Sequence, residues 1–362
     1  MIVLDQKKTI FVVTAIAAIA VLFFVFMRRQ ERTILGGVSM TPSPSFAAFP
    51  SEAPELSASS STAGAEMQNP LTGERCANAL RRPIAVMLSG DAQARPLSSL
   101  EEADMVFEMP VITGSITRFM AVYVCRDPIE IGSVRSARHD FIFLARGLDA
   151  LYAHWGGSHF AMDLLKQHAI DNIDALTNPT GAFWRKENLP APHNGFTSMT
   201  RLFKAARFLQ YRLEGRAPIY THLETSTSTP IQKGSLEIAY AGPFRVRYEY
   251  DPNERLYARI RGGITERDRN SGDGIRVRNV VVMRAASRQI EGQYNDVAVT
   301  GSGNAAVYRG GEEILGTWKK DEKDPSSKLM FLDEAGNEIP FLPGNIWVEI
   351  VEPYTNVSWT TE

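Results

Sequence analysis

Residues 10–27 (IFVVTAIAAIAVLFFVFM) form an apolar run in which Thr14 is the one polar residue. At about 1.5 Å per residue, a helix of that length reaches roughly 27 Å, just enough to cross the hydrocarbon of a bilayer. Such a run, bounded by charges at a chain terminus, reads as a membrane anchor rather than as a helix inside a folded core. Lys7 and Lys8 precede it and Arg28, Arg29 and Arg32 follow it, so counting positive charges does not set the orientation. The run meets Arg28-Arg29 instead of the small residues that mark a cleavage site, which predicts an uncleaved anchor.

The tail at 1–9 is short and most simply stays inside. That places the rest of the chain outside the cytoplasm, on a single-pass protein of the cell membrane. Residues 28–70 read as a linker, because 36–70 is rich in Ser, Pro, Ala and Gly, contains no Lys or Arg, and has no apolar period. In an oxidising compartment Cys76 and Cys125, the two cysteines of the chain, are free to pair or to stay reduced. Their spacing offers no zinc site.

What remains is long enough for two domains, and the chain is 44% apolar over its 362 residues. From 71 to 230, short apolar runs at 83–88, 105–109, 119–125 and 150–155 predict strands. Helical patterns follow at 140–147, 158–168 and 200–213, with a capping-box helix opening at Ser98/Ser99. From 231 to 362 the pattern changes to alternation punctuated by Gly, Asn and Asp, which predicts an antiparallel sheet with 280–282 central and Trp318 and Trp347 in its core. The fold class expected is α+β: a mixed α/β domain followed by a mainly antiparallel β domain.

Net charge is −2, from 39 Lys+Arg against 41 Asp+Glu, so there is no basic field for nucleic acid. The chain lacks Gly-x-Ser-x-Gly, a phosphate loop and a dinucleotide fingerprint, and no cofactor is expected. His154 and His159 are five apart, without a metal-binding pattern, so no metal is expected either.

Between Lys8 and Lys166 there is no lysine, and the cations of the folded stretch are arginines. Arginine presents a permanently charged planar fork suited to carboxylate or phosphate. Arg135, Ser136 and Arg138 lie in a Gly/Ser turn before a predicted helix, where free backbone N–H groups favour an anion. Arg118 lies nearby in sequence. The loop His154-Trp155-Gly156-Gly157-Ser158 follows a predicted strand and opens another helix, the place where ligands collect in open α/β sheets. Ser158 reads as its N-cap. His154 is a candidate general base. A third loop, Pro190-Ala-Pro192-His193-Asn194, offers His193 as a second catalytic candidate. Arg95 and Glu108 complete the candidate ligand-binding set. The competing reading has these arginines paired with Asp104, Glu108, Asp127 or Asp140.

The ordered segments Arg82-Pro-Ile-Ala-Val-Met87, Ala94-Arg-Pro96, Ala103-Asp-Met-Val-Phe-Glu108, Thr117-Arg-Phe-Met-Ala-Val122, Gly132-Ser-Val-Arg-Ser-Ala-Arg138, His154-Trp-Gly-Gly-Ser158 and Ala191-Pro-His-Asn194 resemble the YerB-like bacterial lipoprotein family. The resemblance continues through Asn279-Val-Val-Val282, Gly301-Ser-Gly303, Gly316-Thr-Trp318 and Pro343-Gly-Asn-Ile-Trp347, covering about 71–352. It implies a two-domain envelope protein of unestablished activity and carries no catalytic assignment. Two departures stand out. No cysteine precedes Cys76, where the family often carries a lipid-modified one. The residues after Glu108 read Met109-Pro110 rather than a glutamate-glycine pattern.

The leading expectation is an anchored extracytoplasmic protein that binds a phosphate- or carboxylate-bearing envelope ligand through an arginine pocket. One alternative is a phosphoryl or glycopolymer transferase or hydrolase using the same pocket, with Asp91, Asp104 or Glu108 holding Mg²⁺. The other is a scaffold whose strand edges bind another envelope protein.

Overall fold

The computed structural model describes residues 66–224, 233–292 and 294–361. The expected anchor at 10–27 lies outside the described residues, as do the tail and nearly all of the linker. Among the described residues no helix is long and apolar enough to cross a membrane.

The strands that matter are β1 (Ile84–Ser89), β2 (Met105–Pro110), β3 (Thr117–Tyr123), β4 (Leu151–His154) and β5 (Asn172–Asp174) in the first half. The second half contributes β6 (Gly234–Ile238), β7 (Val246–Asp251), β8 (Leu256–Arg261), β9 (Asn279–Arg284), β10 (Gly301–Arg309), β11 (Glu312–Lys320), β12 (Met330–Leu332), β13 (Ile346–Val351) and β14 (Val357–Thr361). Three α-helices occur among the described residues: α1 (His139–Gly147), α2 (His159–Lys166) and α3 (Met199–Phe208). The body is therefore mostly β, with mixed sheets.

Ten strands form one sheet in the order β12-β11-β10-β9-β13-β2-β3-β1-β4-β5. Its two halves join where β13 pairs in parallel with β2, and β13 also pairs in parallel with β9. The second half is thus not wholly antiparallel. β1, β2, β9 and β13 are buried along their entire length or nearly so, which is why they read as continuous apolar runs. Apolar side chains cover both faces. On one face α1 and α2 pack over Met87, Phe107 and Met120. On the other, α3 and a smaller antiparallel sheet built on β8-β7-β6-β14 pack over Val86, Phe119 and Trp347. Trp318 and Trp347 are buried core aromatics, as expected.

Caps fix the helices. Ser158 Oγ accepts from Ala161 N–H (3.2 Å) and Ser198 Oγ accepts from Arg201 N–H (3.4 Å). The helix predicted at Ser98/Ser99 does not form. Ser98 pairs through its backbone with Gly132, and Ser99 has φ +60°, so the chain bridges to its neighbour instead of coiling. Cys76 and Cys125 form a disulfide.

Between the sheets lies a buried ionic cluster. Glu349 of β13 and Glu108 of β2 stand directly opposite each other in register, an arrangement of like charges that is unfavourable alone. Arg259 of β8, with no solvent exposure, bridges them: Nη2 contacts Glu108 and lies 3.0 Å from Glu349. Arg259 and Arg261 also share Glu266. The hydroxyls of Tyr240 (3.0 Å) and Tyr248 donate to Glu349. Burial and the neighbouring Glu108 push the Glu349 carboxyl above its ordinary pKa.

Candidate functional site

Three loops meet beyond the carboxyl ends of the parallel strands β1 and β4. Residues 132–138 lead into α1, residues 154–158 lead into α2, and residues 190–195 close the group. Backbone hydrogen bonds hold the first two together: Trp155 N–H to Arg135 O (3.0 Å), Ala137 N–H to Gly156 O (2.8 Å) and Ser158 N–H to Ala137 O (3.2 Å). The third is tied in by Val134 N–H to Gly195 O (2.8 Å) and by Arg135 Nη1 to Pro192 O (3.3 Å). Gly195 is needed there, because a Cβ would stand 2.6 Å from the Trp155 ring.

Arg118 enters this junction as the second residue of β3, opposite Ser89 of β1. Its Nη1 donates to Ser136 O (2.9 Å), and its Nε has no partner. Arg138 donates through Nη1 to Ala137 O (3.1 Å) and stands 5.3 Å from the centre of the Tyr294 ring. Its Nε and that of Arg135 are also unpartnered. Arg118 and Arg138 are 6% and 9% exposed. Among the described residues no carboxylate forms an ion pair with any of the three. Burial, then the charges of Arg138 and Arg135, hold the Arg118 guanidinium well below its usual pKa; burial also lowers Arg135 and Arg138. Ser133 Oγ, Thr117 Oγ1 and His193 Nδ1, on the same segments, are buried without partners.

The other candidates divide. His193 is 5% exposed and lies 4.0 Å from Asp91 through Nε2. Burial and then the charge of Arg135 lower its pKa from the usual imidazole value. Asn194 belongs to the third loop but accepts from Arg185 (2.6 Å), which commits its side-chain oxygen. Gly156 has φ +59° and donates its N–H to Asp174 (2.9 Å); Gly157 is exposed beside it. Ser158 is the N-cap of α2.

His154 is buried within its own loop instead of facing the arginines. It has no exposure, and its Nδ1 lies 2.8 Å from Gly156 O and its Nε2 3.2 Å from Asn172 Oδ1, contacts that place it as a brace of the loop. Glu108 does not join these arginines either. In the register of β2 and β3, Met109 faces Arg118 and Glu108 faces Phe119, and strand alternation sends the Glu108 side chain to the opposite face of the sheet, against Arg259 and Arg261. Arg95 lies near that ionic cluster, donating to Gly90 O (2.7 Å) and Pro243 O (3.2 Å). Asp104 accepts from Val124 N–H (2.6 Å) and Asn69 (2.7 Å), an internal brace rather than a metal ligand.

One group that sequence reasoning missed adjoins Arg138. His139 and Asp140, the first residues of α1, meet Asp296 from the hairpin Ser287–Glu291/Tyr294–Val297, with one ligand atom from each within 4.8 Å of the others. His139 and Asp296 are 157 residues apart, so no local spacing signals the meeting.

Residues 71–212 match the family model described as protein of unknown function (DUF3048), N-terminal domain, and residues 236–348 match its C-terminal domain. Over 294 residues the chain is 30% identical to "Putative lipoprotein YerB" of Bacillus subtilis (strain 168), covering 79% of this chain and 86% of that one. The crystal structure of YerB protein from Bacillus subtilis superposes with a TM-score of 0.72 at 28% identity, covering 81% of this chain and all of that one.

Proposed function

Since the chain belongs to the YerB-like family, built of DUF3048 N- and C-terminal domains, we propose that it is a membrane-anchored protein of the cell envelope whose arginine pocket binds a phosphate- or carboxylate-bearing ligand. Anchoring is supported by the lipoprotein in the relative's name and by the apolar run at 10–27 with its linker. The Cys76–Cys125 disulfide favours a body outside the cytoplasm.

Ligand binding rests on one observation. Arg118, Arg135 and Arg138 converge at the carboxyl ends of β1 and β4, two of them nine-tenths buried, and among the described residues none has a carboxylate partner. Burying a guanidinium without an opposite charge costs several kcal/mol, and an anion gripped by two or three of them returns that cost as charge-assisted hydrogen bonds. The unpartnered hydroxyls of Ser133 and Thr117 are further donors.

The test is titration calorimetry of the purified full chain with inorganic phosphate, pyrophosphate and citrate at low ionic strength. Arg135→Ala, at a half-buried position, is the companion variant. Binding to the parent that weakens at least tenfold in the variant supports the reading. No heat with any of the three anions, or equal affinities, overturns it.

A further inference from the structure

We propose that His139, Asp140 and Asp296 bind one divalent transition-metal ion of the Mn²⁺ or Zn²⁺ kind at the edge of the arginine pocket. His139 Nε2 lies 2.9 Å from Asp140 Oδ1 and 3.3 Å from Asp296 Oδ1, separations that neighbouring ligands of one ion span at metal–ligand distances near 2.0–2.2 Å. One imidazole and two carboxylates form a mixed nitrogen and oxygen set. Such a set suits Mn²⁺ or Zn²⁺ better than Ca²⁺ or Mg²⁺, which prefer all-oxygen surroundings. Three protein ligands leave positions open for water or an anion.

The surroundings supply an independent argument. Arg138 and Asp140 are 9% and 4% exposed and two residues apart, yet they form no ion pair with each other. Arg138 turns to Ala137 O and the Tyr294 ring with its Nε unpartnered, while Asp140 turns to His139. A buried cation and a buried anion side by side normally neutralise one another. Here the carboxylate is held instead by the Val297 N–H and by a histidine that a second carboxylate also reaches, while the Nδ1 of that histidine is buried without a partner. A metal ion on Nε2 and the two carboxylates gives the group the cation that Arg138 does not supply. Asp296 keeps its outer oxygen on Arg288 (3.0 Å), which orients the inner one toward His139. The hairpin that carries Asp296 also carries Tyr294, the ring beneath Arg138, so the two sites share a wall.

Metal binding stands apart from the anion reading. The further step, that the ion and the arginines grip one phosphate-type anion between them, rests on it. The experiment loads EDTA-stripped full chain with Mn²⁺ or Zn²⁺ and measures bound metal after desalting, for the parent, His139→Ala, Asp296→Asn and Arg135→Ala. Asp140 is left intact because its burial ties it to folding, and circular dichroism confirms that each variant is folded. One equivalent of metal in the parent and in Arg135→Ala, with at least a tenfold loss of affinity in His139→Ala and Asp296→Asn, supports the site. No bound metal in the parent, or undiminished binding by folded Asp296→Asn, overturns it. If metal is retained but added pyrophosphate binds no tighter with it than without, the shared grip fails while the metal site stands.

Discussion

A buried guanidinium lacking a carboxylate is a liability that a protein keeps for a reason, and Arg118 is the plainest case in this molecule. It sits 6% exposed with two other cations as its main electrostatic neighbours. Replacing it with Met, of similar length and without charge, removes that penalty. Arg118→Met is expected to raise stability by about 1–2 kcal/mol in thermal or urea unfolding while abolishing anion binding, the trade that functional sites commonly show. A loss of stability would mean that Arg118 holds the fold together. At this scale the sequence was legible where chemistry was local: a Gly/Ser turn carrying Arg135 and Arg138 does lead into a helix, and Ser158 declared itself an N-cap. Glu108 was misread because its role depends on which face of β2 it occupies, and that face is set by register with β3, which lies outside the strand's own residues. For His154 a bracing histidine and a catalytic one have the same letter, and the carbonyl beside its Nδ1 is known only once the loop is closed.

Among the elements, the ionic cluster between the sheets decides the most. Arg259 of β8 touches Glu108 of β2, Glu349 of β13 and Glu266 at once. Arg259→Met leaves three buried carboxylates without their common cation, and a destabilisation of about 3–5 kcal/mol is expected in urea unfolding. Burial pushes the Glu266 pKa up, but Arg259 and Arg261 outweigh it and bring the group from 4.5 to about 2. Because the folded value lies below the unfolded one, the stabilisation is complete above about pH 4.5 and is lost as the pH falls toward 2. Melting temperatures measured across that window should fall with acid, and Glu266→Gln should flatten this limb. The strands that meet here were mostly visible as short apolar or alternating runs, as were the three helices, to within a few residues at their ends. The parallel pairing of β13 with both β9 and β2 was not visible. Parallel partners are joined by long crossovers, and nothing within a strand names a neighbour so far along the chain.

Across the whole body, the segments matched by two family models share one ten-stranded sheet and one ionic cluster. Cutting the chain at about residue 230 would expose the joined edges of β2 and β13 and divide Glu108 from its arginines. The described body is therefore expected to unfold in a single calorimetric transition, and the separately expressed halves to aggregate; two resolved transitions would refute this. Reducing the Cys76–Cys125 bond, which spans 49 residues, is expected to cost about 4 kcal/mol by loop-closure entropy, read as a lower urea midpoint with dithiothreitol. The position of that bond has a mechanical consequence. Cys125 lies two residues past the end of β3, in the middle of the ten-stranded sheet, so tension entering from the amino-terminal side crosses to the sheet interior through a covalent link. A load applied there runs along β3, shearing whole ladders of hydrogen bonds at once instead of unzipping an edge strand pair by pair.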